Sequence, residues 1–427
     1  MLFKDITILD ENINVQKSMY VGIDGDRIEY IGSSMPAKDY GRIYEGRRRL
    51  LMSGFFNSHA HTPMTLMRGY GENLSLHDWL NKRVFPFEAH LTGQDVYYAT
   101  LLGIAESLRF GIISTTDMYY FCDRMADAFI ESGAKANIGR GITCFNDEDL
   151  FNLSAYKESK ELYEQYNGSG EGRIKIDMSL HAEYTSTPKI VGQLAEFTNS
   201  LGAQMHVHVS ETRDEHEGCK ERHQGRTPVR YLSDLGLLDN KTTAAHCVYV
   251  EGEDYDILKE KEVTVASNPI SNHKLASGVC NVPKLMGKGI NVAIGTDSVA
   301  SNNSLNFIEE MKFFALVHKE KFQDPRLTTT AETLFAATRA GAIGQGREDT
   351  GALKKGFKAD LIVLDISGPH MHPVHDITNN LVYSASGSDV LLTMIDGRVV
   401  YEEGNYPTLD LEKIRFETNC SAERITG

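Results

Sequence analysis

The chain has 427 residues, 41% of them hydrophobic and 24% charged, which is the composition of a folded globular protein and not of a disordered, collagen-like or coiled-coil one. At about 150 residues per domain, the length gives roughly three domains or one large barrel with a small companion. Lys and Arg number 44 against 59 Asp and Glu, a net charge of −15; with no basic run to offset it, this field repels phosphate backbones and anionic lipid, so neither nucleic acid nor membrane is an expected partner.

The six cysteines, Cys122, Cys144, Cys219, Cys247, Cys280 and Cys420, include no CxxC pair. That argues against a disulfide framework or a thiolate zinc site and fits a reducing compartment. Met1-Leu-Phe-Lys-Asp5 reaches charge at once, unlike a signal peptide, and no apolar run approaches the ~18 residues of a membrane span. The expected location is the cytoplasm, and a homo-oligomer is compatible with the sequence.

In chain order, the first elements are short strands at Ile6–Ile8, Ser18–Gly22 and Arg27–Ile31, separated by Asp/Asn/Gly turn clusters. Apolar runs that suit buried parallel strands then begin near Phe55, Ile112, Ala136, Ile174, Met205, Thr242, Val263 and Ile290. They recur about every 34 residues, the length of a βα unit. Amphipathic stretches lie between them, such as Val96–Phe110, with Thr92 and Asp95 as a capping box and Gly111 as a stop. Strands return at Asp360–Asp365, Val390–Ile395 and a hairpin over Asp396–Val400. The expected fold is α/β: a (β/α)8 TIM-type barrel over 53–348, with a small discontinuous β-sandwich built from 1–52 and 349–427.

Three HxH pairs stand out: His59/His61, His206/His208 and His370/His372. In a strand, residues i and i+2 share a face, so two imidazoles can converge on one ion. One such pair alone is equally read as two packed core histidines. Position separates the cases, because His59/His61, His208 with Glu211 after it, His246 and Asp297 fall at the ends of the first, fifth, sixth and eighth barrel strands. Barrel active sites lie at that end. Neutral imidazoles with a carboxylate suit Zn2+ or Fe2+. His370-Met-His-Pro-Val-His375 lies beyond the eight units and is read as structural, as is Asp117 in Ser114-Thr-Thr-Asp117.

Gly54-Phe-Phe-Asn-Ser-His-Ala-His61, His206-Val-His-Val-Ser-Glu211, Ala244-Ala-His246, Ser267-Asn-Pro-Ile-Ser-Asn-His273 and Gly295-Thr-Asp297 together resemble the amidohydrolase superfamily of metal-dependent hydrolases, and within it the 5'-methylthioadenosine/S-adenosylhomocysteine deaminases. The resemblance spans nearly the whole chain. It implies one divalent ion, zinc before iron, on His59, His61, His208 and Asp297, with His206 in a deeper layer. Such an ion lowers the pKa of bound water to about 7 and supplies hydroxide at neutral pH. Asp297 would accept the proton, Glu211 would protonate a ring nitrogen of an adenosine-type nucleoside, and His246 would stabilise the oxyanion at carbon 6. Ammonia then leaves.

The resemblance also implies substrate contacts. Trp79 and Arg140 match positions near the 5' substituent, Glu88 one that takes the ribose diol, and His181 and Ser301 positions near the purine nitrogens. A carboxylate suits vicinal hydroxyls because it accepts from both. One departure stands out: relatives that accept S-adenosylhomocysteine carry a second arginine shortly after the position of Arg140, whereas 141–156 contains no Arg or Lys and includes Asp147-Glu-Asp149. The expected preference is for 5'-methylthioadenosine, 5'-deoxyadenosine or adenosine. Alternatives on the same scaffold are a guanine, pterin or triazine aminohydrolase or chlorohydrolase, and, from another class, an inactive nucleoside-binding relative.

Overall fold

In the computed structural model, residues 1–74 and 76–427 are described. Among the described residues, apolar runs cut by Gly, Asp and Asn turns become seventeen strands in two sheets. The first five are β1 (Leu2–Leu9), β2 (Val15–Asp24), β3 (Arg27–Gly32), β4 (Ile43–Glu45) and β5 (Arg49–Ser53). The barrel strands follow: β6 (Phe55–Ala60), β7 (Ile112–Tyr119), β8 (Lys135–Ile142), β9 (Ile174–Ile176), β10 (Met178–Ala182), β11 (Met205–Val209), β12 (Thr242–His246), β13 (Thr264–Ser267) and β14 (Asn291–Ile294). The last three are β15 (Leu361–Asp365), β16 (Val390–Ile395) and β17 (Arg398–Glu402).

The terminal strands form one sheet in the order β17-β16-β15-β5-β1-β2-β3, with β4 beside β1. The two ends of the chain meet where β5 runs antiparallel to β15, from Ser53 opposite Leu361 to Arg49 opposite Asp365. Phe3, Ile6, Val21 and Ile28 pack with Leu361, Val363 and Leu392 in a single buried cluster, so both faces of the expected sandwich come from one continuous sheet.

The second sheet runs β14-β13-β12-β11-β10-β8-β7-β6, all parallel, with the short β9 on β8. The fourth strand of the barrel is thus broken into β9 and β10 around Asp177. Every residue of β6, β7, β11 and β12 is buried, so the polar residues they carry, such as His59, Asp117, His208 and His246, lie inside the barrel and not on a solvated face. The barrel closes at a bridge between Ala60 and Asp297, where the Asp297 N–H donates to the His59 carbonyl at 2.9 Å. Asp297, one of the expected ligands, thus sits at the seam of the barrel.

Helices cover the barrel. In Gly93–Arg109 the Thr92 hydroxyl accepts from the Asp95 N–H, while the Asp95 carboxylate accepts from the Thr92 N–H at 2.7 Å, a reciprocal cap of the kind that contributes about 1 kcal/mol. Gly111, at φ +81°, turns the chain into β7. The last helix, Leu411–Thr426, packs against Gly93–Arg109. At the start of β8 the buried Lys135 ammonium pairs with Asp360 and, at 2.8 Å, with Asp396, joining barrel to terminal sheet. Among the described residues, no helix is long and apolar enough to cross a membrane.

Candidate active site

The carboxyl ends of β6, β11, β12 and β14 converge on a group of imidazoles and one carboxylate. His59 and His61 leave β6 on one face, and both Nε2 atoms lie 3.5 Å from Asp297 Oδ1. His61 Nδ1–H donates to the Met118 carbonyl at 2.6 Å, and His208 Nδ1–H donates to the His181 carbonyl at 2.7 Å. Both rings are thereby held as the Nδ1–H tautomer, with bare Nε2 lone pairs 3.3 Å apart. Two lone pairs at that distance repel unless a cation lies between them. The His59 Nε2 atom is buried and has no hydrogen-bond partner. The donor atoms of His59, His61 and His208 fall within 4.8 Å of one another, and so do those of His59, His246 and Asp297. This donor set fits a divalent ion of the zinc type.

The electrostatics agree. Burial pushes His59 down to about 4, against the pull of Asp297, and burial with neighbouring rings holds His206 and His208 well below the usual imidazole range. Those rings are neutral, as a metal ligand must be. Burial alone would raise Asp297, yet the pull of the facing rings when they are protonated, His59 before His246 and His61, keeps it well below the usual carboxylate range. Its Oδ2 accepts from Ser271 Oγ at 2.6 Å, and its Oδ1 from the Ser298 N–H at 2.7 Å. His206 lies behind His59, with its Nε2 2.9 Å from His59 Nδ1.

Glu211 and His246 face each other beside this group, with Oε2 and Nε2 3.8 Å apart. Burial raises the Glu211 carboxyl above its ordinary value despite His246. Burial opposes protonation of His246, but Glu211 and Asp297 outweigh it and raise the imidazole. Asn272 Oδ1 lies 2.9 Å from His246 Nδ1 and orients the ring. Glu215 accepts the N–H groups of Ser210 at 2.8 Å and Glu211 at 2.7 Å, and so fixes the turn that presents Glu211. Ser210, His246 and Asp297 hold left-handed φ values of 49°, 73° and 60°, strained positions of about 1–3 kcal/mol each that cluster where strands end in function.

Ten of the eleven side chains singled out in the sequence line one cavity of about 120 Å3: His61, Trp79, Glu88, Arg140, His181, His208, Glu211, His246, Asp297 and Ser301. The eleventh, His59, lies beneath it and is fully buried. Trp79 is buried in the wall. Glu88 takes a hydrogen bond from Tyr119, and burial pushes it up to about 7. Arg140 donates from Nε to Glu158 at 2.7 Å. His181 contacts Thr185 Oγ1 at 3.0 Å, and Ser301 Oγ lies 2.8 Å from Ser271 Oγ, whose one proton goes to Asp297.

Residues not singled out as site groups are Ser271, Asn272, Glu215 and Tyr119, together with Gly295, where a Cβ would sit 2.9 Å from the His59 backbone nitrogen and 2.3 Å from Asn268 Oδ1. The one signal for them was their adjacency to Asn-Pro and Thr-Asp motifs. Asp117 accepts from the Thr62 N–H at 3.2 Å and supports the turn after His61. His370 pairs with Asp389 at 2.8 Å on the surface, and the third HxH pair joins no ligand-like group among the described residues. Glu183, Cys219 and His223 do form such a group, but Arg222 already holds both Glu183 oxygens, at 3.2 and 2.6 Å, so it reads as an ion-pair cluster.

The model of the amidohydrolase family matches residues 50–400. The chain belongs to that family. This amidohydrolase is 39% identical to a 5-methylthioadenosine/S-adenosylhomocysteine deaminase of Caldanaerobacter subterraneus over 427 residues, covering 100% of this chain and 98% of the relative. It is 38% identical to a 5'-deoxyadenosine deaminase of Methanosarcina mazei over 423 residues, 99% and 97% of the two chains. The crystal structure of an adenosine deaminase from Xanthomonas campestris with bound zinc superposes with a TM-score of 0.92 at 28% identity, over 99% of this chain and 98% of that one. The barrel architecture of this amidohydrolase is therefore that of known aminohydrolases.

Proposed function

We propose that this amidohydrolase removes the 6-amino group of an adenosine-type nucleoside, such as 5'-methylthioadenosine, 5'-deoxyadenosine, adenosine or S-adenosylhomocysteine, as ammonia. The observation that carries this is one cavity with an imidazole–carboxylate donor set and the Glu211–His246 pair on one wall and Glu88, hydrogen-bonded by Tyr119, on another. The first arrangement suits aminohydrolysis, and the second suits a ribose diol that a free base lacks. The relatives named above act on nucleosides of this type.

His59, His61, His208 and Asp297 would hold one divalent ion, zinc in the first instance and Fe2+ as the alternative. When bound, such an ion lowers the pKa of water to about 7 and acts as a Lewis acid. Asp297, oriented by Ser271, takes a proton from the attacking water. Glu211, whose carboxyl burial raises above its ordinary value, delivers a proton to a ring nitrogen, makes carbon 6 electrophilic and is then left as a carboxylate beside His246. His246, raised by the two carboxylates, donates from Nε2 to the oxygen that develops there. Glu88 accepts from the ribose hydroxyls, His181 and Ser301 meet the purine edge, and Trp79 and Arg140 face the 5' end. We place the reaction in the cytoplasm; the six cysteines are free, as a reducing compartment keeps them.

A coupled ammonia-release assay over these nucleosides and over guanine, a pterin and an aminotriazine tests the proposal. Turnover of the adenosine analogues ahead of the free bases is expected, and turnover of a free base alone would overturn it.

A further inference from the structure

Past Glu88, Tyr120 and Arg140 the active-site cavity continues into a second, larger one of about 730 Å3, which the same three residues also line. Arg140 stands at the junction. Its guanidinium lies 4.6 Å over the Tyr120 ring, its Nε–H donates to Glu158 Oε2 at 2.7 Å, and Nη1 donates to the Gly141 carbonyl at 2.5 Å. Arginine binds carboxylate strongly through two parallel N–H groups, and Glu158 already occupies the Nε side. Farther out, Asp123 and Glu161 join Glu88 and Glu158, so among the described residues lining the outer cavity one cation meets four carboxylates.

We propose that Glu158 sets charge specificity at the 5' end. By occupying Arg140 it makes the outer cavity a subsite for 5' substituents that are neutral or end in an ammonium, and it opposes substituents that end in a carboxylate. This rests on the nucleoside-deaminase reading but goes beyond it, because the arginine at the junction would otherwise be expected to recruit an anionic tail. The Arg140 side chain is 15% exposed and that of Glu158 49%, so the pair stands at the solvent edge of the outer cavity, where a carboxylate placed against the acidic wall is repelled through a field that salt screens.

Two 5'-thioether adenosines of equal length, one ending in a primary amine and one in a carboxylate, are compared alongside 5'-methylthioadenosine on the full-length enzyme. The expected kcat/KM ratio of amine to carboxylate is about tenfold or more, the equivalent of one charge contact, and it narrows at high salt. In Glu158→Gln the ratio falls by about tenfold, while Glu158→Asp retains most of it; any loss common to all substrates cancels in the ratio. Equal kcat/KM for the two thioethers in the wild type, or a ratio unchanged in Glu158→Gln, would overturn the proposal while leaving the deaminase reading standing. No turnover of 5'-methylthioadenosine, 5'-deoxyadenosine, adenosine or S-adenosylhomocysteine, nor of either thioether, would instead overturn the deaminase reading, and the Glu158 proposal with it.

Discussion

Glu211→Gln separates the chemical step from the scaffold. Glu211 is outside both groups of clustered metal-ligating atoms, and its backbone N–H is held by Glu215 at 2.7 Å, so an isosteric amide keeps the turn and the ion site. What it removes is the transferable proton and, once that proton has been delivered, the negative charge that is the largest influence raising His246. General acid catalysis contributes about 10²–10⁴-fold, or about 3–5 kcal/mol at 1.36 kcal/mol per decade, and the weakening of His246 puts the loss toward the upper end. The assay is ammonia release at saturating 5'-methylthioadenosine, with metal per chain measured on the same sample by plasma mass spectrometry. The expected result is full metal content with kcat reduced by about three orders of magnitude or more. A variant with full metal and kcat within tenfold of wild type would refute the role of Glu211.

Four further outcomes follow from particular contacts. Chelation should destabilise the protein, since the His61 and His208 lone pairs face each other at 3.3 Å; Zn2+ restored at a hundredfold over Kd contributes about 2.7 kcal/mol, which over 427 residues raises Tm by about 3 °C in calorimetry. Gly295→Ala, whose Cβ would lie 2.9 Å from the His59 nitrogen, should lose about 1–3 kcal/mol in denaturant melts and bind metal less tightly. Asn272→Ala leaves His246 Nδ1 without its acceptor at 2.9 Å and should lower kcat about tenfold with KM little changed. Glu88, pushed up to about 7, ionises as pH rises through that value and becomes the better acceptor. Between about pH 6 and 8, kcat/KM for adenosine should therefore rise more steeply than that for 2',3'-dideoxyadenosine; parallel profiles would exclude the diol contact.

The strands and the converging histidines were legible because each depends on local pattern. Buried parallel strands leave mainly apolar runs, and the eight barrel strands begin at or within one residue of the expected positions, although the fourth breaks around Asp177. His59, His61 and His208 carry a period-two signal, and Asp297 ends a strand. Ser271, Asn272 and Glu215 carry no such mark, because their roles arise from hydrogen bonds made by the first turns of the helices Pro269–Lys274 and Arg213–Arg222, whose approach the barrel dictates. The helix Leu411–Thr426 was illegible for a different reason: its buried residues are Ile414, Thr418 and Ser421, too polar and too small to register as an amphipathic stripe. Arg140 was legible as a position but not in its state, since its partner Glu158 lies eighteen residues on.

The antiparallel pairing of β5 with β15 sets a schedule for synthesis. Residues 49–53 leave the ribosome early and wait, with an unsatisfied edge, until residues 361–365 have been made. Nearly the whole barrel has emerged before that edge is covered. Contacts so distant along the chain form slowly, and an exposed strand edge invites pairing with another molecule. During that interval β1, β2 and β3, already hydrogen-bonded to one another and to β5, provide a partial sheet that shields one side of β5. The side of β5 that faces β15 is therefore the edge most open to misassembly until the C-terminal strands arrive.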